Sequence, residues 1–133
     1  MALPFIVSEL SIHNFDKTIE LLKAEIQKHG ATIFGIVDHR ANALSVNLSL
    51  PPTTVIQFGN PKVGTPLIED IRLFGLVLPL KLLIWEDDTK GVVVSYPNLF
   101  ELAKMYELSP NLKGPIQLIM DNLAEIASSV SLK

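Results

Sequence analysis

The residues best able to do chemistry gather around "QFGNPKVGTP" at 57–66, between a β-branched run and an apolar-periodic segment. Gly59 and Gly64 have the separation of the glycines in a phosphate loop, G-x-x-x-x-G-K-[ST]. There the backbone cradles phosphate, the Lys reaches it and the hydroxyl holds magnesium. Here Thr65 stands where the Lys is required, Pro66 takes the hydroxyl position, and Pro61 has no N–H to donate. The stretch is not a Walker loop. Gly35, Gly59, Gly64 and Gly75 are too dispersed for G-x-G-x-x-G. What survives is a strand–glycine–helix corner. Thr65 reads as an N-cap with Pro66 at N1, and free N–H groups beside Lys62 would suit a small anion. The alternative is a tight turn at Gly59-Asn60-Pro61 with Thr65 merely a cap.

The histidines offer a second chemistry. His13 follows the first strand, and Asp38-His39 ends the second. If those strands run parallel side by side, both histidines reach one sheet edge. Asp38 or Glu86 could then complete a nitrogen-and-oxygen site for zinc or another divalent ion. No H-x-x-x-H or H-E-x-x-H spacing supports it, and neighbours on a strand point to opposite faces. No metal and no cofactor are therefore expected. His39 beside Asp38 could also act as a general base with an orienting carboxylate. Ser45, Ser49 and Ser95 lack any G-x-S-x-G context. No catalytic residue is assigned, and a non-enzymatic role is favoured.

In "LKLLIWED" at 80–87, Leu80, Leu82 and Ile84 share one face and read as core. Lys81, Leu83 and Trp85 share the other. Lys81 either snorkels to water or brings its charge to a pocket walled by Trp85, with the Tyr96 hydroxyl alongside. "WEDD" could bind a cation or simply form a solvated hairpin tip.

These candidates need elements to hold them. Residues 4–12 read as a strand with Ile6, Leu10 and Ile12 on one face. Asn14 caps a helix in which Phe15, Ile19, Leu22 and Ile26 recur, and Gly30 ends it. Strands follow at 32–37 and 53–58, with a short helix in "HRANALSVNL" stopped by Pro51-Pro52. A helix from Thr65 to about Leu73, a hairpin of 80–86 with 92–96 through "DDTKG", and a short helix opened by Pro97 come next. Leu112, Ile116, Ile119, Leu123, Ile126 and Val130 form one stripe along a final helix, packed on the sheet or forming a dimer seam.

The chain of 133 residues is long enough for one domain, 1–133, with 108–133 as its helical end. Hydrophobic residues make up 48% and charged ones 19%, with a mean hydropathy of +0.36. So apolar a small domain is expected to turn a patch toward a partner. A net charge of −3 without a basic block disfavours nucleic acid. With no Cys, disulfides and thiolate chemistry are excluded. The longest charge-free apolar stretch, 73–80, is short of the roughly 20 residues of a membrane span. "MALPFIVSEL" lacks a basic leader, so no membrane association and a cytoplasmic location are expected.

"IFGIVDHRANA", "LPPTTVIQFGNPKVGTPLI" and "LPLKLLIWEDDTKGVVVSY", in this order, resemble the bacterial and archaeal domain-of-unknown-function family numbered 302 over residues 5–108. The resemblance implies a compact α+β fold, a curved and mostly antiparallel sheet of about five strands covered by helices. It also implies a homodimer, and it supplies no activity. Among the motif positions, Gly59, Pro61, Gly64 and Pro66 shape a corner and Phe58 packs. His39, Asn60, Lys62, Lys81 and Glu86 have no such structural reason. The expected function is thus a homodimer binding a small anionic ligand near 59–66. Thr65 would hold the anion, Lys62 and Lys81 supply charge, His39 and Asn60 orient it, and Trp85 wall the pocket. The alternatives are a protein-interaction module, and a metal or hydrolytic site from His13, Asp38, His39 and Glu86.

Overall fold

A computed structural model describes residues 3–131. Five strands form one sheet: β1 (Ile6–Leu10), β2 (Thr32–Asp38), β3 (Thr53–Gly59), β4 (Leu80–Asp87) and β5 (Gly91–Pro97). Its order is β1-β5-β4-β3-β2 with every neighbouring pair antiparallel, so the α+β architecture expected from sequence is what the chain adopts. Helix α1 (Phe15–Lys28) leads from β1 to the opposite edge of the sheet, where β2 begins. α2 (His39–Leu44), α3 (Pro61–Asp70), α4 (Leu99–Met105) and α5 (Lys113–Ser128) complete the fold.

The sheet separates its side chains by period 2. Ile56 and Phe58 of β3, Leu82 and Ile84 of β4, and Val94 and Tyr96 of β5 are buried beneath the helices. Leu22 and Ile26 of α1 and Ile116, Ile119, Leu123 and Ile126 of α5 close over them. Each such side chain contributes about 1.5–3 kcal/mol by leaving water. The C-terminal stripe is therefore spent inside the molecule and is no dimer seam. Tyr96 likewise turns into the core, away from Trp85, because it sits one residue beyond Ser95, the partner of Leu83. The Ile6, Leu10 and Ile12 face of β1 is the outer one, 38%, 50% and 52% exposed. Val7 packs against the core from the opposite face, so apolar residues occupy both faces of this edge strand and the sequence pattern alone does not choose between them.

Caps explain where the helices begin. Asn14 Oδ1 accepts the Lys17 N–H at 2.8 Å and caps α1. Gly30, at φ +77°, ends it with the Ala31 N–H bonded to the Ile26 carbonyl. α2 ends at Leu44, and the turn after it closes at Asn47, φ +63°, before the proline pair is reached. α4 is opened by Asn98, whose side chain accepts the Phe100 N–H at 3.0 Å, rather than by Pro97.

Candidate functional site

The "GNPKVGTP" corner is not a loop. Asn60 Oδ1 accepts the Lys62 N–H at 3.0 Å, and the Asn60 carbonyl accepts those of Val63 and Gly64, each at 2.9 Å. α3 therefore starts at Pro61, five residues ahead of the Pro66 start that the sequence suggests. Asparagine caps as well as threonine, and Pro61 presets the first helical φ. Thr65 lies inside the helix and caps nothing. The N–H groups offered to an anion at the helix start are bonded within the chain.

The first turn of α3 instead walls a cavity of about 470 Å³. Phe58 and Leu80 form its sheet side, Val63 and Ile68 come from α3, and Ile119, Leu123 and Ile126 from α5. Phe34 joins them where β2 shifts register between Ile33 and Gly35. A bulge of this kind re-aims a side chain. Gly64 lets α3 approach closely, since a Cβ there would lie 3.3 Å from Leu78 Cδ1. Four polar side chains interrupt the apolar lining: His29, Asn60, Thr65 and Asn122.

His29 is the sole titratable residue of that lining. Its Nδ1 lies 2.9 Å from the Glu25 carbonyl oxygen and its Nε2 3.0 Å from Glu125 Oε2. Both partners are acceptors, and only the imidazolium has two N–H groups to satisfy them. The Glu125 and Glu25 contacts accordingly hold the His29 pKa above its ordinary 6.5, against a smaller opposing effect of burial. A last-turn histidine four residues after a glutamate is a legible C-terminal helix signal. The contact to Glu125, 96 residues away in the chain, leaves no sequence signal.

The six expected ligand residues fall on both faces of the sheet. Asn60 and Thr65 line the cavity, while Lys62 is exposed outside it. His39, Lys81 and Trp85 line a wide groove of about 1160 Å³ on the face without α1 and α5, together with Ser8, Lys90 and Ser95. Lys81 Nζ donates to the Val77 and Pro79 carbonyls at 3.3 and 3.1 Å. Trp85 Nε1 donates to Ser95 Oγ at 3.0 Å, which lies 2.7 Å from Ser8 Oγ. The structure does not bring these six side chains to one pocket.

The metal candidates are separated too. β1 and β2 occupy opposite edges of the sheet, which parts His13 from His39. Asp38 Oδ1 accepts the Ala41 N–H at 2.9 Å and caps α2. Glu86 is exposed on β4. Among the described residues no three His, Cys, Asp or Glu side chains cluster as metal ligands.

An antiparallel five-stranded sheet with one helical layer defines a small α+β domain, and residues 7–129 match the family described as "Domain of unknown function DUF302". The chain belongs to that family. Its fold is similar to that of the crystal structure of an uncharacterized conserved DUF302 protein from Bacillus stearothermophilus. The TM-score is 0.87 at 19% identity, covering 96% of this chain and 99% of that one. Over 103 residues the chain is 40% identical to a protein of Brucella suis biovar 1 (strain 1330) named "Fluoride-specific ion channel FluC 1", and to one of Brucella melitensis biotype 1 named "Fluoride-specific ion channel FluC 2". These matches take in 77% of this chain but only 41% and 38% of those proteins. The chain thus spans well under half the length of these curated relatives.

Proposed function

We propose that this domain is a binding module for a small, mainly apolar molecule held in the cavity between α3, α5 and the sheet. The observation that carries this reading is the cavity's composition: about 470 Å³, walled by aliphatic and aromatic side chains, with four polar ones to orient a ligand. That is the size and chemistry of small-molecule sites. Lys62 and Lys81 lie outside it, so the ligand's body is apolar rather than a bare inorganic anion. The test is ligand-observed NMR of a library of small apolar molecules against the wild type and an Ile68→Trp variant, whose indole would fill the cavity. Hits lost in the variant support the reading; an empty screen, or hits indifferent to Ile68→Trp, overturns it.

The channel name belongs to the longer Brucella proteins. We infer that the shared stretch serves there as a ligand-responsive part joined to a conducting part. No helix of the described residues is long and apolar enough to cross a membrane, and the cavity is many times larger than a single ion.

A second reading, self-association, is favoured by the edge strand β2 and the segment after it. Phe34 and Ile36 on β2 are 56% and 44% exposed, and Leu44, Val46 and Leu48 are 57–64% exposed. From Ala41 to Asn60 the chain carries no charge. At the other edge β1 carries the charge of Glu9 within the strand, whereas β2 is uncharged up to its last residue, Asp38. A homodimer joined at this surface would cover it. Sedimentation of a Val46→Asp/Leu48→Asp protein should show a monomer where the wild type is a dimer. A wild-type monomer at high concentration would end this reading.

A further inference from the structure

Resting on the cavity reading above, we infer that the ligand's polar end is a carboxylate, received by His29 in exchange for Glu125. The lining that surrounds the cavity is donor-rich and carries no acid. His29 contributes an imidazole ring, the Asn60 oxygen is already spent on the Lys62 N–H and leaves that amide its NH₂ donors, and Asn122 and Thr65 add an amide and a hydroxyl. No Asp or Glu is among the lining residues.

Nε2 is bonded by a carboxylate of the chain itself, Glu125 Oε2 at 3.0 Å. That carboxylate is 68% exposed, whereas His29 is only 18% exposed. The imidazolium is thus the fixed member of the pair. Its Nδ1 is anchored to the Glu25 carbonyl at the end of α1, and Glu125 is free to swing into water. A carboxylate entering from the cavity would form the same charge-assisted bond in a drier setting, where it is stronger. The other charged groups facing His29 are Glu25 Oε2, 3.7 Å from Nδ1, and Lys28, paired to Glu25 at 3.8 Å. Both belong to α1, and neither lines the cavity. Exchange therefore trades one carboxylate for another and leaves the local charge balance intact. The apolar walls select the rest of the molecule: an aliphatic or aryl monocarboxylate, not a dicarboxylate or a phosphate.

The probes are octanoate and 1-octanol, which share a tail and differ in the head. They would be titrated calorimetrically into the wild type, His29→Gln and Glu125→Gln at about pH 5.5 and about pH 8.5. At the lower pH octanoate should bind the wild type about tenfold more tightly than octanol, one charge-assisted hydrogen bond's worth of affinity. His29→Gln should abolish that preference while leaving octanol unchanged. Glu125→Gln should tighten octanoate alone, by removing the competing charge. At the higher pH the preference should shrink as the imidazolium is lost. Equal binding of the two probes, or a preference that survives His29→Gln, overturns the carboxylate assignment and leaves the cavity reading standing. Failure of both probes to bind any of the three proteins overturns both.

Discussion

Replacing Gly64 by Ala separates the two structures that "GNPKVGTP" could adopt. In a phosphate-type loop a glycine sits where its freedom of φ is used, and Ala would cost about 1 kcal/mol or more. Here Gly64 is the fourth residue of α3, and its φ is not positive. In a helix Ala is better than Gly by about 1 kcal/mol. Against this gain stands one contact: the new Cβ would lie 3.3 Å from Leu78 Cδ1. That atom is the end of a flexible side chain bordering a cavity, so it can retreat a few tenths of an ångström at a cost of about 0.5 kcal/mol. The net expectation is a stabilisation of about 0.5 kcal/mol, or about 2 °C in Tm for a domain of this length. Circular dichroism melts and urea midpoints would measure it. Gly30→Ala is the control: φ is +77° with nothing within 4 Å of a Cβ, so backbone strain alone should cost about 1 kcal/mol. A Tm for Gly64→Ala as depressed as that of Gly30→Ala would refute the helical start.

Other consequences can be measured on the same protein. Asn60→Ala removes the α3 cap bonded to Lys62 and should cost about 1 kcal/mol in urea denaturation, while Thr65→Ala, inside the helix, should be close to neutral. The raised His29 pKa makes the native state the tighter proton binder there, so the Glu125–His29 contribution is present below about pH 6.5 and is lost as pH rises through the folded pKa. With Glu125 largely exposed, the effect should stay below about 1 kcal/mol. Imidazole NMR should show His29 titrating above its ordinary value in the wild type and moving back toward it in Glu125→Gln. Asp87 has the opposite sign: bonds from the Thr89 hydroxyl and the Lys90 and Thr89 N–H groups hold its carboxyl below the usual 3.8. Thr89→Ala should raise that pKa in a carboxyl-detected titration.

Much of the fold was legible because local chemistry and periodicity agreed. The Asn14 cap, the Leu22–Ile26 face and Gly30 delimit α1 without any tertiary information. The alternation of Leu80, Leu82 and Ile84 against Lys81, Leu83 and Trp85 carried over unchanged. The start of α3 is ambiguous in the sequence because Asn60-Pro61 and Thr65-Pro66 are equivalent cap-plus-proline pairs five residues apart. Pro66 at N1 was the cheaper local choice, since a proline inside a helix is disfavoured. Tertiary packing overrode it: starting at Pro61 brings Leu67 into the core, where it is fully buried. Which face of β1 turns inward is not legible, because Ile6 and Leu10 are as apolar as Val7 and only the neighbouring strand decides it.

The sequence by itself determined the class of the domain, the existence and type of nearly every element, and the absence of any thiol chemistry. Those properties follow from short-range periodicity, capping and composition. The strand order, which puts β1 and β2 at opposite edges and so parts His13 from His39, was decided only in three dimensions. So was the division of His39, Lys81 and Trp85 from Asn60 and Thr65 across the sheet. The meeting of His29 with Glu125, 96 residues later, has the same origin. Contacts of that range depend on how amphipathic elements close a common core, and no local pattern encodes which surfaces meet.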